Sequence, residues 1–193
     1  MKIISAAFIK SATEKAGWPR TGQPEVAFAG RSNVGKSSLI NNLLNRRGLV
    51  KTSAEPGKTR LVNFFLINEK FILTDLPGYG FARGDKDEVR RWKPMIEEYI
   101  GQREELRALV HIMDIRRIPD EDGMEGMMME FALHADIPHI LVANKSDKLS
   151  HSACLKSARE IEKALGKKPI IYSAKTGAGK EALWKELYPL LGR

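Results

Sequence analysis

At 193 residues, 42% of them hydrophobic and 29% charged, the chain has the length and composition of one soluble domain with a substantial core. Its single cysteine, Cys154, excludes an internal disulfide, and no apolar run approaches the ~20 residues that cross a bilayer. The apolar opening is too short for a secretory leader and is broken by Lys10, so the chain is read as cytoplasmic. Lys and Arg outnumber Asp and Glu by 32 to 24, and the resulting net charge of +8 favours polyanionic partners.

Residues 1–24 show no regular period and are interrupted by Gly17, Pro19, Gly22 and Pro24. They are expected to pack on or flank a single domain within residues 1–193. From there the chain alternates between two kinds of segment. Short runs rich in β-branched and aromatic residues predict strands over 26–29, 61–67, 71–74, 109–113, 140–143 and 170–172. Amphipathic stretches predict helices over 36–44, 89–100, 124–134, 153–165 and 180–190. Only Asn68-Glu69-Lys70 separates the second and third strands, which implies a hairpin. Helices separate the others, which implies right-handed crossovers. The expected fold class is therefore α/β, a mostly parallel six-stranded sheet with one antiparallel strand and helices on both faces. In such a sheet ligands bind beyond the carboxyl ends of the strands.

The loops at those ends carry the informative residues. After the first strand comes Gly30-Arg31-Ser32-Asn33-Val34-Gly35-Lys36-Ser37, a complete G-x-x-x-x-G-K-S between a strand and a helix. Glycines allow successive N–H groups to turn toward a polyphosphate, and the helix start adds its positive end. Lys36 is expected to reach the β- and γ-phosphates, and the Ser37 hydroxyl to ligate Mg²⁺. The third strand ends in Asp75-Leu76-Pro77-Gly78. Asp75 is expected to hold the metal through a coordinated water, and the Gly78 N–H to approach the γ-phosphate. Before the second strand, Pro56-Gly57-Lys58-Thr59-Arg60 offers Thr59 as a further metal ligand, alongside the plainer reading of a Pro-Gly turn.

Near the chain's end, Asn144-Lys145-Ser146-Asp147 follows a strand. Guanine presents two adjacent N–H donors that one carboxylate can accept together, and Asp147 is the candidate. Adenine lacks that pair, and a ligand that leaves buried polar groups unmatched is rejected strongly. Asn144 and Lys145 are expected to support the loop and cover the base. Ser173-Ala174-Lys175, after the last strand, can offer a backbone N–H to the guanine O6. GTP is therefore the expected nucleotide.

Many GTPases carry a water-orienting glutamine directly after D-x-x-G, and here that position is Tyr79. Slow intrinsic turnover, on the order of 10⁻⁴–10⁻² s⁻¹, is expected unless a partner or a monovalent cation such as K⁺ completes the site. Asn33 is the candidate holder of such a cation. It equally suits tight loop geometry for its own sake.

These elements, in this order, resemble a Ras-type P-loop G domain. The wording of Gly30 to Ser38, Pro56-Gly57-Lys58-Thr59, Asp75-Leu76-Pro77-Gly78-Tyr79-Gly80 and Asn144-Lys145-Ser146-Asp147 resembles the bacterial EngB family. The likeness extends to Phe8-Ile9-Lys10-Ser11-Ala12 and Pro24-Glu25-Val26-Ala27-Phe28-Ala29, nearly the whole chain. It implies a single-domain GTPase, linked to large ribosomal subunit assembly and to cell division, with rRNA and ribosomal protein as partners. It strengthens Thr59 as a metal ligand beside Ser37 and Asp75, and makes Lys36, Thr59 and Gly78 the catalytic candidates. Nucleotide contacts are then expected from Gly30, Arg31, Ser32, Asn33, Val34, Gly35, Lys36, Ser37 and Ser38, and from Gly57, Lys58, Thr59, Arg60 and Leu61. Asp75, Leu76, Pro77 and Gly78 contribute further contacts, as do Asn144, Lys145, Ser146, Asp147, Ser173, Ala174 and Lys175.

Arg46-Arg47, Arg90-Arg91 with Lys93, and Arg116-Arg117 are candidate RNA contacts, or simply solvated faces. The histidines His111, His134, His139 and His151 lack metal-ligand spacing and are assigned structural roles. A monomer is expected. A second reading keeps the chain as a nucleotide-gated interaction protein of the division machinery with incidental hydrolysis.

Overall fold

The computed structural model describes residues 2–50, 61–80, 86–119 and 123–192, with the side chains of residues 86–91 outside the description. Among these residues seven strands form one sheet: β1 (Ala6–Ala12), β2 (Glu25–Gly30), β3 (Val62–Ile67), β4 (Phe71–Asp75), β5 (Leu106–Asp114), β6 (His139–Asn144) and β7 (Ile170–Ile171). Their order is β1-β3-β4-β2-β5-β6-β7. Only β3 runs against the rest: it is antiparallel to both β1 and β4, while β2, β4, β5, β6 and β7 pair in parallel.

The sheet has one strand more than the six expected, and the addition is β1, from the stretch read as irregular. It lies at the sheet edge, where outward residues need not be apolar, and its register slips between Phe8 and Lys10. That slip erases the period-2 signal. The expected hairpin is present, Asn68-Glu69-Lys70 joining β3 to β4 with Lys70 N donating to Ile67 O at 2.9 Å. Asn68 and Glu69 both take positive φ (52° and 55°), the geometry that matches the strands' twist. The Asn68 side chain also accepts from the N–H groups of Ile4 and Ser5, at 2.7 and 3.1 Å, so the turn holds the entry to β1.

Among the described residues five α-helices cover the sheet: α1 (Lys36–Leu43), α2 (Lys86–Gln102), α3 (Met124–His134), α4 (His151–Leu165) and α5 (Lys180–Leu187). Alternation along β2 sorts them. Val26 and Phe28 pack with Leu39, Ile40 and Leu43 of α1 and Leu183, Trp184 and Leu187 of α5. Ala27 and Ala29 face the other way, toward Trp92, Ile96 and Tyr99 of α2 and Met128 and Ala132 of α3. Cys154, Ile161 and Leu165 of α4 cover Leu141 and Ala143 of β6. With both faces buried, the carboxyl edge of the parallel strands is left as the place for a ligand.

Candidate functional site

Five chain segments converge on that edge. Directly after β2 the phosphate loop turns into α1 through Asn33 and Gly35, both at positive φ (65° and 91°). Gly35 could not be replaced without displacement, because a Cβ there would stand 2.7 Å from Asn144 Nδ2. Lys36 opens α1 and reaches across to β4, where its ammonium bonds Asp75 Oδ1. Both are buried, at 9% and 3% exposure. Ser37 and Ser38 lie in the first turn of α1, half-buried and exposed respectively.

Asn144, at the end of β6, is the hub of the expected base loop. Its Nδ2 donates to Val34 O at 2.9 Å, and its Oδ1 accepts from Ala174 N at 3.0 Å. One buried amide thus ties the phosphate loop to the loop after β7. Lys145, at positive φ, sends Nζ to Asn33 O at 2.6 Å. Asp147 is exposed and accepts from Ser173 Oγ at 2.7 Å, a bond that holds its carboxyl below the ordinary carboxylate range. Ser146 N donates to Tyr172 O at 3.0 Å, and Lys175 is exposed. Val34, Asn144, Asp147, Ser173 and Ala174 are therefore joined in one hydrogen-bonded frame.

Asp75 closes β4, and Leu76, Pro77 and Gly78 follow. Leu76 and Pro77 are buried and Gly78 is half-buried against the phosphate loop, where a Cβ would come within 3.0 Å of Ser32 Oγ. Gly57, Lys58, Thr59 and Arg60 lie outside the described residues. Leu61 is exposed just before β3. Of the metal candidates, the structure describes Ser37 and Asp75, and Thr59 lies outside. Among the basic clusters, Arg116, Arg117, Arg47 and Lys93 are exposed and Arg46 is half-buried, while the side chains of Arg90 and Arg91 lie outside the description.

Two site features escaped the sequence reading. Asp114, at the end of β5, accepts from Arg116 Nε and Nη2 at 2.9 and 2.7 Å and pairs with Lys145 Nζ at 3.1 Å. Burial opposes its charge, but the Arg116 and Lys145 contacts outweigh burial and hold its carboxyl well below the usual range. Asp114 so fixes the lysine that braces the phosphate loop. The second is Tyr79. It is buried rather than open to the site, with its hydroxyl 2.6 Å from His111 Nε2. A D-x-R after a strand was the available signal for the first; the position of Tyr79 was singled out in the sequence, but nothing there marked His111 as its partner.

A family model described as 50S ribosome-binding GTPase matches residues 25–145, which include the phosphate loop, Asp75 and Asn144. A probable GTP-binding protein EngB of Geobacillus thermodenitrificans (strain NG80-2) is 45% identical over 195 residues, covering 99% of each chain. The chain belongs to the EngB family of GTP-binding proteins. Its EngB relative from Desulfatibacillum aliphaticivorans is 48% identical, over 98% of this chain and 93% of the relative. Among solved structures, a probable GTP-binding protein EngB superposes with a TM-score of 0.70 at 26% identity, covering 86% of this chain and 98% of that one. Aquifex aeolicus Era, bound to GDP and aluminium fluoride, gives 0.65 at 30% identity, over 88% of this chain and 57% of its own. The fold is thus the P-loop G domain, and as an EngB-family member the chain is a GTP-binding protein and a GTPase.

Proposed function

We propose that the protein is a guanine-nucleotide switch that acts on the large ribosomal subunit during its assembly, as a monomer in the cytoplasm, and that it turns GTP over slowly. The observation that carries this reading is the joining of two chemistries in one frame. A phosphate loop and a carboxylate suited to guanine are held together by Asn144 and Lys145. The family model's description and the +8 charge favour a ribosomal partner over a protein one. Among the described residues, no helix is long and apolar enough to cross a membrane.

The residues present fit a hard divalent cation. Asp75 is a buried carboxylate that already holds a cation, the Lys36 ammonium, and Ser37 follows that lysine in the first turn of α1 with a hydroxyl to offer. Mg²⁺ would be held by Ser37, Asp75 and Thr59, and would neutralise charge on the phosphates. In this reading Lys36 leaves Asp75 for the β- and γ-phosphates, the loop from Gly30 to Ser38 surrounds them with N–H groups, and Gly78 meets the terminal phosphate. Asp147 accepts the guanine donor pair, with Ser173 holding its carboxylate in place. Tyr79 is turned into the core and supplies no group to the attacking water, which supports slow turnover until a partner or K⁺ completes the site.

Co-sedimentation with purified large ribosomal subunits tests the reading. Pelleting with a non-hydrolysable GTP analogue but not with GDP, lost steeply as salt rises, is the expected result. Absence of pelleting in both states would remove the ribosomal target and favour the division machinery.

A further inference from the structure

His111 is fully buried in the middle of β5, and its imidazole meets the side chain that follows Gly78. Burial pushes the Tyr79 phenol well up, so it keeps its proton. Burial, aided by His139, lowers His111 to about 3, so its ring is neutral at physiological pH. An imidazole nitrogen is a better acceptor than a phenol oxygen. Tyr79 therefore donates to Nε2, and the ring proton sits on Nδ1, which has no partner among the described residues.

The residues on both sides of Gly78 are anchored as well. The Tyr79 carbonyl accepts from Ser32 N at 2.8 Å, and its ring meets Trp92 edge-on with centroids 5.1 Å apart. Trp92 Nε1 in turn donates to Pro77 O at 3.0 Å. Gly78 is held between these two fixed neighbours and lies against the phosphate loop.

We propose that His111 is a positioning residue for the terminal phosphate: through Tyr79 it holds Gly78 against Ser32 before nucleotide arrives. The inference rests on the reading that Gly78 meets the γ-phosphate. A loop ordered in advance loses less freedom on binding, so the anchor favours the triphosphate and leaves the diphosphate, which does not reach Gly78, unaffected. A role in packing alone would act on both nucleotides equally.

The test is equilibrium binding of GDP and of a non-hydrolysable GTP analogue to the full chain and to Tyr79→Phe, His111→Leu and their double variant. Each single variant is expected to weaken the analogue about 3–10-fold, the range of one buried hydrogen bond, with GDP within about twofold. The double variant should lose no more than the singles, because both remove the same bond. GDP binding also reports that each variant is folded. Equal weakening of both nucleotides, unchanged analogue binding, or additive losses in the double variant each overturn the proposal. Gly78→Ala separates the two levels of the argument. If it weakens the analogue while Tyr79→Phe and His111→Leu do not, only the role of His111 fails. If it leaves the analogue untouched, the reading of Gly78 fails and takes the inference with it.

Discussion

Two buried ion pairs occupy opposite ends of the parallel strands, and they are built differently. At the amino end, Glu25 accepts from Thr74 Oγ1 at 2.7 Å and from Arg103 Nε and Nη2 at 2.9 and 2.8 Å. Arg103 also donates to Pro19 O at 2.8 Å and lies over the rings of Trp18 and Phe64. At the carboxyl end, Lys36 and Asp75 bond each other and, among the described residues, no other side chain. The first pair is saturated by protein and has nothing left to offer a ligand. Among the described residues, the second leaves two ammonium protons and a carboxylate oxygen without a side-chain partner, which in the proposed function go to phosphate and metal. Saturation marks the structural pair and unmet valence the functional one.

The saturated pair should show the largest effect on stability. Arg103→Ala leaves the Glu25 carboxylate buried without its partner and is expected to cost about 3–5 kcal/mol by urea unfolding. Burial nevertheless pushes the Glu25 carboxyl above its ordinary value in spite of Arg103, so desolvation outweighs the attraction within the pair. A double Glu25→Leu, Arg103→Met variant should then recover most of that loss. Failure to recover would mean that the pair contributes net stability. In the open pair the effect moves to the ligand. Lys36→Met should weaken nucleotide about 100-fold, as two charged hydrogen bonds to phosphate disappear. Excess GDP should raise the melting temperature of Arg103→Ala as it does wild type, but not that of Lys36→Met. A normal GDP shift in Lys36→Met would break the comparison.

A third buried arrangement lies between these extremes: the neutral rings of His111 and His139, centroids 5.4 Å apart, with His111 Nδ1 and His139 Nε2 unpartnered among the described residues. Burial lowers them from 6.5 to about 3 and about 4. Below pH 6.5 the unfolded chain takes up protons that the folded chain refuses. The stability they contribute is thus complete above pH 6.5 and is lost as pH falls toward 3. About 2 kcal/mol per histidine should disappear between pH 7 and pH 5. Glu25, whose carboxyl is pushed above its ordinary value by burial, titrates with the opposite sign, so the contribution is read as wild type minus His111→Leu, whose curve should be flatter. Parallel curves would show that His111 takes its proton inside the fold.

How much of this was legible depended on how far apart the partners lie in the chain. The phosphate loop, Asp75 and Asn144-Lys145-Ser146-Asp147 are local patterns at strand ends, so their placement on one edge followed from an alternating α/β order. The hairpin at Asn68 was legible for the same reason. The contacts that set Glu25 against Arg103, Tyr79 against His111 and Lys145 against Asp114 span 78, 32 and 31 residues. Nothing in the short stretches around them signals a partner. His111 was read only as a structural histidine because no neighbour in sequence explains its burial. β1 was missed because its pairing partner comes some fifty residues later and its own alternation is broken at the register slip.

Asp114 is the smallest and sharpest case, because it belongs to both classes of ion pair at once. Arg116 satisfies it from solvent with an exposed guanidinium, while Lys145 satisfies it from the site. Asp114→Asn keeps the shape but removes the charge that holds Lys145 beside Asn33 O. The expected cost is about 1 kcal/mol in nucleotide affinity, roughly fivefold, with GDP and GTP analogue affected alike because Lys145 braces the part of the loop common to both. Global stability should change less than affinity, since Arg116 is exposed and its pairing is screened by solvent. Isothermal titration with both nucleotides beside a urea melt separates the two. A larger loss of stability than of affinity would place Asp114 with Glu25 among the saturated pairs. A loss confined to the analogue would instead tie Asp114 to Gly78, and Lys145 would no longer be the group through which it acts.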